Sequence, residues 1–289
     1  MPTLQETAAR RTTAARSAWV PRRVRKPASW WQPLVAFGVF IGVWYAVAAY
    51  YDKKVESPYL VPYPHLVLTA IINDTRPDGA PTGFNADLWA ALGRTTVVSL
   101  VGLGAAIVLG ILWATVMAQA KGLEKALYPY AVVLQCVPIL ALVPLIGALF
   151  GYAFLSRVIV TVMIALFPMV SNTLFGLHST DRAQRELFAL QGAGRLTRLV
   201  KLQIPAALPS IFVGLRTSAG LSVIGAIVGD QFFQRGEPGL GVLIQVTASR
   251  LMGPELYATI IIASLYGIAV FLAFGLIGRL AVGRWFDFT

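Results

Sequence analysis

The chain has few charged residues, few histidines and one cysteine, and each shortage excludes a class of protein. Charged residues make up 13% of the 289 residues and hydrophobic residues 57%, a balance that excludes an ordinary soluble enzyme. Cys136 has no second cysteine with which to form an intrachain disulfide. The histidines, His65 and His178, form no His-Glu-x-x-His pair. We therefore expect no metal site, and no nucleophile and base arrangement predicts a catalytic residue.

The sequence also lacks the G-x-x-x-x-G-K-[ST] pattern whose backbone holds the phosphates of ATP. We therefore expect the chain to bind no cofactor of its own. A net charge of +11 raises the question of nucleic acid, but sidedness in a membrane and attraction to anionic lipid explain such an excess in an apolar chain. We expect membrane lipid, and no nucleic acid, as a partner.

Long apolar runs are what the sequence has in abundance. A transmembrane helix needs roughly 20 mostly apolar residues, and six stretches qualify: 34–51, 94–118, 126–150, 156–177, 208–230 and 256–282. Between the first two, residues 52–87 have the Pro, Gly and Asp content of a loop, with a short helix predicted over "HLVLTAII". The sequence thus predicts an all-α polytopic membrane protein with about six transmembrane helices.

The distribution of Lys and Arg predicts the orientation of these spans. The first 29 residues contain seven basic residues and one acid, and 16 of the 24 basic residues fall in segments that six spans place on one side. Because basic residues are retained in the cytoplasm, both termini and the segment 178–207 are expected there. Arg157 is counted among the six basic residues of the opposite side. We interpret 1–33 as a basic cytoplasmic arm without a cleavable signal, and 34–289 as the transmembrane domain.

Two stripes of small residues recur at every fourth position, which places each stripe on one helix face. The first is Gly102, Ala106, Gly110, Ala114 and Ala118, and such a face is expected to pack closely on another helix. The second is Gly214, Ser218, Ser222, Ala226 and Asp230. Its polar members allow two interpretations, a face that lines an aqueous path or a tight seam with the serines bonded to their own backbone.

Six polar residues are candidates for a substrate path, and each has an alternative role. They are Ser171, Asn172, Arg216, Ser218, Ser222 and Asp230. Arg216 either meets an anionic substrate or a carboxylate, or extends to the inner interface. Asp230 either gates or contacts a partner, or caps a solvated turn. Ser171 and Asn172 either face the pore or bond to a neighbouring helix.

Prolines are predicted to bend two of the spans. Pro129, Pro138 and Pro144 lie within 126–150, and Pro168 lies within 156–177. Each removes a backbone donor and disturbs the helix around it. Bent helices around a central path are typical of transporters.

The segment 178–207 interrupts the apolar runs with two short amphipathic helices. Asp181 is a predicted N-cap with Gln184 as the third helical residue, and Gly192 is a predicted stop. After the Gly192-Ala193-Gly194 corner, a second basic helix is expected to end at Pro205. The first helix has an apolar face, including Leu187 and Leu190, that needs a lipid surface or a protein partner.

This segment resembles the cytoplasmic signature of the membrane subunits of binding-protein-dependent ABC importers. That signature has the form Glu-Ala-Ala, three residues, Gly, nine residues, Ile-x-Leu-Pro. Glu186 precedes Gly192 by six positions, and "LQIP" ending at Pro205 follows at the same spacing. Leu187 and Phe188 replace the two alanines, which changes the bulk that a partner would meet.

The resemblance extends over about residues 57–283 to the nitrate, sulfonate, taurine and riboflavin branch of these permeases. It includes "CVPILALVPLIGALFGY", "ALPSIFVGLRTSAG" and "GEPGLGVLI". The segment "GDQFFQRGEPGLG" resembles the relatives for riboflavin or a thiamine pyrimidine precursor more than those for aliphatic sulfonate, taurine or nitrate. Both groups of substrate remain open.

The resemblance implies a type I ABC importer permease (MetI-like) fold in the bacterial cytoplasmic membrane. It implies a pore of two copies of this chain, each bound to one of two ATPase subunits that hold ATP and Mg, with a solute-binding protein on the outer side. The residues implied in the ATPase contact are Arg185, Glu186, Ala189, Leu190, Gly192, Gly194 and Pro205.

Two other functions are alternatives to an importer permease. A stand-alone secondary transporter or channel needs intramembrane acids or histidines to couple ions, and the spans offer few beyond Asp230. A membrane enzyme needs a catalytic constellation that the residues do not suggest.

Overall fold

The structure is a computed structural model that describes residues 31–55, 60–73 and 83–283, and these residues form helices joined by turns and loops, with no strand among them. In chain order the helices are α1 (Trp31–Val55), α2 (Pro64–Ile72), α3 (Phe84–Ala118), α4 (Lys121–Cys136), α5 (Ile139–Phe150), α6 (Phe154–His178), α7 (Arg182–Leu190), α8 (Arg195–Arg198), α9 (Ile204–Phe232), α10 (Leu240–Ser249) and α11 (Gly253–Val282). The all-α prediction is confirmed.

Five helical stretches are long and apolar enough to cross a membrane, and a bent pair brings the number to six. The five are α1, α3, α6, the run Arg195–Phe232 that contains α9, and α11, while α4 and α5 qualify together with a bend of 98° between them. The prediction of about six spans is confirmed when the bent pair counts as one.

Contacts divide the chain into a unit that ends at Ala46 and a unit that begins at Val47. In the first unit the described residues belong to α1, where the rings of Phe40 and Trp44 meet edge to face with centroids 6.2 Å apart. Residues 1–30 of the predicted basic arm lie outside the described residues. The arm's boundary at residue 33 stays a prediction.

In the second unit, α3 packs on α6 along the first small-residue stripe. Gly102 faces the Thr161 side chain, and a Cβ on Gly110 would lie 2.7 Å from the Met169 Cγ. Gly102, Ala106, Gly110 and Ala114 are buried, and Ala118 packs against the same core. The prediction that this face is buried is confirmed, because only residues without bulk allow the two helices so close.

The α6–α9 seam is the other close contact of the core. Added Cβ atoms would lie 2.8 Å from the Thr161 Cα at Gly225, and 3.1 Å from the Arg157 Cα at Gly229. Backbone therefore lies on backbone over several turns, which maximises dispersion contacts where apolar lipid offers no hydrophobic drive.

The span predicted over 126–150, with prolines that bend it, corresponds to the bent pair α4 and α5. α4 ends at Cys136 and α5 begins at Ile139, with Val137 and Pro138 both extended between them. A residue that precedes proline is disfavoured in the helical region, so the chain turns there. Pro129, Pro144 and Pro168 instead remain inside α4, α5 and α6.

The second span begins earlier than predicted, because α3 starts at Phe84 and not near residue 94. The short helix predicted over "HLVLTAII" is confirmed as α2, with Pro64 in its first turn. Residues 56–59 and 74–82 of the predicted loop lie outside the described residues.

Candidate functional site: the α7 coupling segment and the opposite end of the bundle

Local interactions define both ends of α7. The Asp181 carboxylate accepts a hydrogen bond from the Ala183 amide at 3.3 Å, so the predicted cap is confirmed, one residue earlier than a capping box places it. At the other end Gly192 has φ of +69°, a conformation that side chains disfavour. The Gly192 amide donates to Ala189 and the Ala193 amide to Phe188, which is the Schellman motif.

No residue of α7 is buried. Leu190 is 87% exposed and Leu187 53%, so the predicted apolar face lies open on the described chain. Arg182 and Glu186 form an ion pair at 2.7 Å, one turn apart, and both are well exposed. α7 thus offers both apolar and charged groups to a partner.

The two bulky residues at the signature's alanine positions have different surroundings. Phe188 is partly buried, whereas Leu187 is exposed. Leu187 is therefore the one that enlarges the open face. The other residues of the implied ATPase contact, Arg185, Glu186, Ala189, Leu190, Gly192 and Gly194, are all exposed, while Pro205 is partly buried.

The predicted end of the second helix at Pro205 is wrong, because the chain stays helical from Arg195 to Phe232. Residues Leu199–Gln203 form a π-helical turn, and the Ile204 amide donates to the Leu199 carbonyl, five residues back. This change of register, next to a proline that has no amide to donate, lets the helix continue. The basic helix α8 therefore continues into α9 without a loop, and residues 191–194 separate it from α7.

The π turn is anchored in the core. Leu199 is 8% exposed and belongs to a cluster that includes Leu177 of α6 and Ala207 of α9. A displacement of α8 must therefore move the packed helices as well, since close-packed interiors transmit strain.

At the opposite end of the bundle, Arg157 is buried, and its assignment to a loop exposed to solvent is wrong. It is 4% exposed, and its Nη1 lies 2.7 Å from the Asp230 Oδ1. Its guanidinium also donates to the carbonyls of Phe233, Arg235 and Glu237, at 2.9, 3.1 and 2.9 Å. Arg157 is buried because these acceptors replace water.

Asp230 holds the far side of the same turn. Its Oδ2 accepts from the Gly241 amide at 3.1 Å, and the Thr95 hydroxyl accepts from the Leu240 amide at 2.9 Å. A side chain on Gly239 would collide with both Asp230 and Thr95. Asp230 thus caps the turn, as one of its two interpretations predicts, but its side chain is buried at 2% exposure and is not solvated.

Phe233–Gly241, here named the pinned turn, has a further, exposed attachment. Arg94 lies 2.7 Å from Glu237 and donates to the Pro238 carbonyl at 3.1 Å. Three helices, α3, α6 and α9, therefore hold one turn through charged and polar side chains. The sequence analysis did not predict that Arg157 and Thr95 hold this turn. For Arg157 a signal was present: an arginine begins the span 156–177, and an acid, Asp230, ends the span 208–230 on the same side.

The polar candidates of the second stripe lie in the α6–α9 seam. Ser218 is fully buried and donates to the Ala165 carbonyl of α6 at 2.7 Å, while Ser222 donates to its own helix at Ala219. Of the two interpretations, the structure shows the seam for these serines. A role of either serine in a path stays a prediction that this packing does not favour.

The remaining path candidates, Ser171, Asn172 and Arg216, contact a carbonyl of their own helix or an aromatic ring. Ser171 and Asn172 both donate to the Pro168 carbonyl of α6, at 3.4 and 2.8 Å. The Arg216 guanidinium lies over the Phe271 ring, 4.0 Å from its centroid. No cluster of His, Cys, Asp and Glu able to hold a metal occurs among the described residues.

A comparison with known protein families shows to which family the chain belongs. Residues 106–286, more than half of the chain, match the family of binding-protein-dependent transport system inner membrane components. The chain belongs to this family. It is therefore a permease subunit of an ABC importer, a multi-pass protein of the inner membrane with a non-catalytic role in transport.

Curated relatives of this permease agree with the family. It is 34% identical over 242 residues to the formylaminopyrimidine transport permease ThiX of Halalkalibacterium halodurans, covering 84% of this chain and 91% of that one. It is 34% identical over 168 residues to the riboflavin transport system permease RibX of Chloroflexus aurantiacus, covering 58% and 62%. With the nitrate import permease NrtB of Synechocystis, identity is 28% over 265 residues, covering 88% and 93%.

Proposed function

We propose that this permease is driven by a separate cytoplasmic ATPase that binds α7. The observation that supports this most directly is the form of α7: it is capped at both ends, none of its residues is buried, and only residues 191–194 separate it from the membrane-crossing helical run Arg195–Phe232. A groove on the ATPase would cover the apolar face of Leu187 and Leu190. ATP and Mg would be held by that partner, and this chain would hold neither.

A movement of α7 would travel into the membrane through the π turn. Leu199 fastens that turn to α6 and α9, and the α6–α9 seam makes these two helices move as one body. ATP-driven closure of two ATPase subunits would thus tilt the bundle between inward- and outward-open states, a rigid-body transition.

The orientation we propose has both termini and α7 in the cytoplasm. A cavity of about 480 Å³ at the α7 end is lined by three basic residues, Lys121, Lys125 and Arg185, and one acid, Glu124, and such an excess of basic residues is typical of the cytoplasmic side. The pinned turn would then face outwards, where a solute-binding protein delivers substrate. Two copies of the chain would form the pore.

For the substrate, we propose a small nutrient such as riboflavin or a thiamine pyrimidine precursor. Two of the relatives, at 34% identity, are named for formylaminopyrimidine and riboflavin, whereas the nitrate permease is less similar. Aliphatic sulfonate, taurine or nitrate is the second candidate. Thermal-shift screening of the genetically adjacent solute-binding protein against flavins, pyrimidines, sulfonates and nitrate distinguishes them.

Reconstitution in liposomes tests the coupling itself. The permease is incorporated with and without the ATPase encoded beside it, and uptake of the ligand found in the screen is measured with ATP inside the vesicles. We expect uptake only when both proteins and the binding protein are present. Uptake by the permease alone, driven by an ion gradient, would instead support a secondary transporter.

A further inference from the structure

A small cavity between α9 and α11 has two arginines in its wall. The cavity measures about 120 Å³ and is lined by Phe212, Val213, Arg216, Gly275, Gly278 and Arg279. No carboxylate of the described residues forms an ion pair with Arg216 or Arg279, since the pairs found there involve other cations. Two positive charges therefore share one recess, and neither pairs with an acid of the described residues.

Arg216 is the more enclosed of the two. Its Nε is buried and has no hydrogen-bond partner within the part of the chain that the structure describes. The central carbon of the guanidinium lies over the Phe271 ring, 4.0 Å from its centroid, while the Nε donor faces no acceptor among the described residues. A guanidinium carries five such donors in one plane.

Gly275 gives this guanidinium its space. A Cβ at position 275 would lie 3.0 Å from the Arg216 Nε and 3.2 Å from its Cδ, closer than ordinary contact. The recess thus depends on a missing side chain on α11 as well as on the arginine of α9.

The depth of the recess explains why an unpaired arginine is costly there. Gly275 lies seven residues before the end of α11 at Val282, which is about 10 Å at a rise of about 1.5 Å per residue. An ionisable group inside a span is expensive unless it is paired or reaches polar surroundings. Arginine favours phosphate, whose oxygens accept two parallel hydrogen bonds.

We propose that this recess binds the phosphate of a membrane phospholipid, held by Arg216 and Arg279. The surface beside it supports a lipid over a soluble anion: Val213, Leu276 and Leu280 are 48, 57 and 76% exposed, and acyl chains would cover them. The proposal needs α9 and α11 to cross the membrane with this face turned towards lipid and not covered by a second copy of the chain, and it does not depend on the ATPase contact at α7.

Native mass spectrometry of the purified permease, titrated with phosphatidylglycerol in delipidating detergent, tests this site. We expect one lipid per chain to bind most tightly, and Arg216→Gln and Gly275→Leu each to weaken that binding roughly tenfold, which is about 1.4 kcal/mol. Gly275→Leu keeps both charges and fills the recess, so it separates shape from charge. Arg250→Gln, at an exposed position outside the spans, controls for the lost charge and should bind like wild type.

Three outcomes would overturn the proposal. The first is wild-type lipid binding by both recess variants, each shown to be monodisperse by size-exclusion chromatography. The second is inorganic sulfate that raises the melting temperature of wild type but not of Arg216→Gln, with no effect of lipid, which would indicate a soluble oxyanion. The third is tighter lipid binding in Asp287→Asn, a residue outside the described range, which would show that a carboxylate of this chain occupies the recess.

Discussion

The α7 segment and the pinned turn lie at opposite ends of α6 and α9, and they are held by different kinds of interaction. The bonds that define α7 join residues a few positions apart, such as Asp181 with Ala183, and its side chains face outwards. The pinned turn is held by Arg157 and Thr95, which come from helices far away in the sequence, and by a buried ion pair. One end is a self-contained element placed on the surface; the other is part of the core.

This difference indicates which end tolerates change. α7 can lose any one exposed side chain without unfolding the bundle, so variants there report on a partner. Variants of the pinned turn report on the fold first, because each removes a buried partner of another group.

The largest effect is expected from breaking the buried ion pair. Arg157→Leu leaves the Asp230 carboxylate buried without its cation, which costs about 3–5 kcal/mol, and it also frees three backbone carbonyls. We expect a large drop in melting temperature and in yield, measured by fluorescence-detected size-exclusion chromatography. Arg94→Leu, which removes the exposed pair with Glu237, is the matched control and should cost at most about 1 kcal/mol. Equal losses for the two variants would show that burial does not decide the stability of this end.

A smaller loss is expected from a single methyl group at Gly241. A Cβ there would lie 2.8 Å from the Asp230 Cβ and close to backbone of α9, so Gly241→Ala must shift the turn, and overpacking typically costs about 1–3 kcal/mol. Gly104→Ala, where the added Cβ meets nothing within 4 Å, should leave the melting temperature unchanged or slightly higher. A stable Gly241→Ala would contradict the tight fit of the pinned turn.

Asp230→Asn tests whether the ion pair has a role beyond stability. The amide keeps the shape of the carboxylate but loses the charge that Arg157 faces. If the pair helps this end of the bundle to change state, uptake in liposomes should change while ATPase binding, measured by co-purification, does not. Uptake equal to wild type, in a variant with normal melting, would leave the pair a purely structural role.

At α7 the stability and the function should respond separately. Glu186→Lys removes one exposed ion pair, worth about 0.3–0.5 kcal/mol, so the melting temperature should stay near wild type while ATP-dependent uptake is lost. The exchanged variant Arg182→Glu with Glu186→Arg keeps a pair at these positions, and we expect it to remain inactive because the partner meets the wrong charge. Transport by Glu186→Lys would contradict the assignment of α7 as the ATPase contact.

The smallest effect is expected at Leu187. Because this side chain is 53% exposed, Leu187→Ala should change stability within about 0.5 kcal/mol but alter the affinity for the ATPase, measured by binding in detergent. Leu196→Ala, on the neighbouring α8 and 73% exposed, is the control. An affinity change of the same size in both variants would show that no specific groove accommodates Leu187.

Several features of this protein could be predicted because their causes lie within a few residues. The cap at Asp181, the stop at Gly192 and the buried stripe from Gly102 to Ala118 all follow from local conformation or from a helical period. The break near Pro138 was less predictable: four prolines have the same intrinsic effect, yet three of them stay inside helices.

The sequence by itself determined the membrane class, the number of spans and the form of α7, since apolar length and helix-end chemistry depend on neighbouring residues. Only the tertiary structure decided that Arg157 is buried with Asp230, that Ser218 belongs to a seam, and that the helix passes through Pro205. In each case the deciding partner, whether the Asp230 carboxylate, the Ala165 carbonyl or the core around Leu199, lies on another element. A hydrogen-bonding or packing partner of that kind leaves no periodic signal in the sequence.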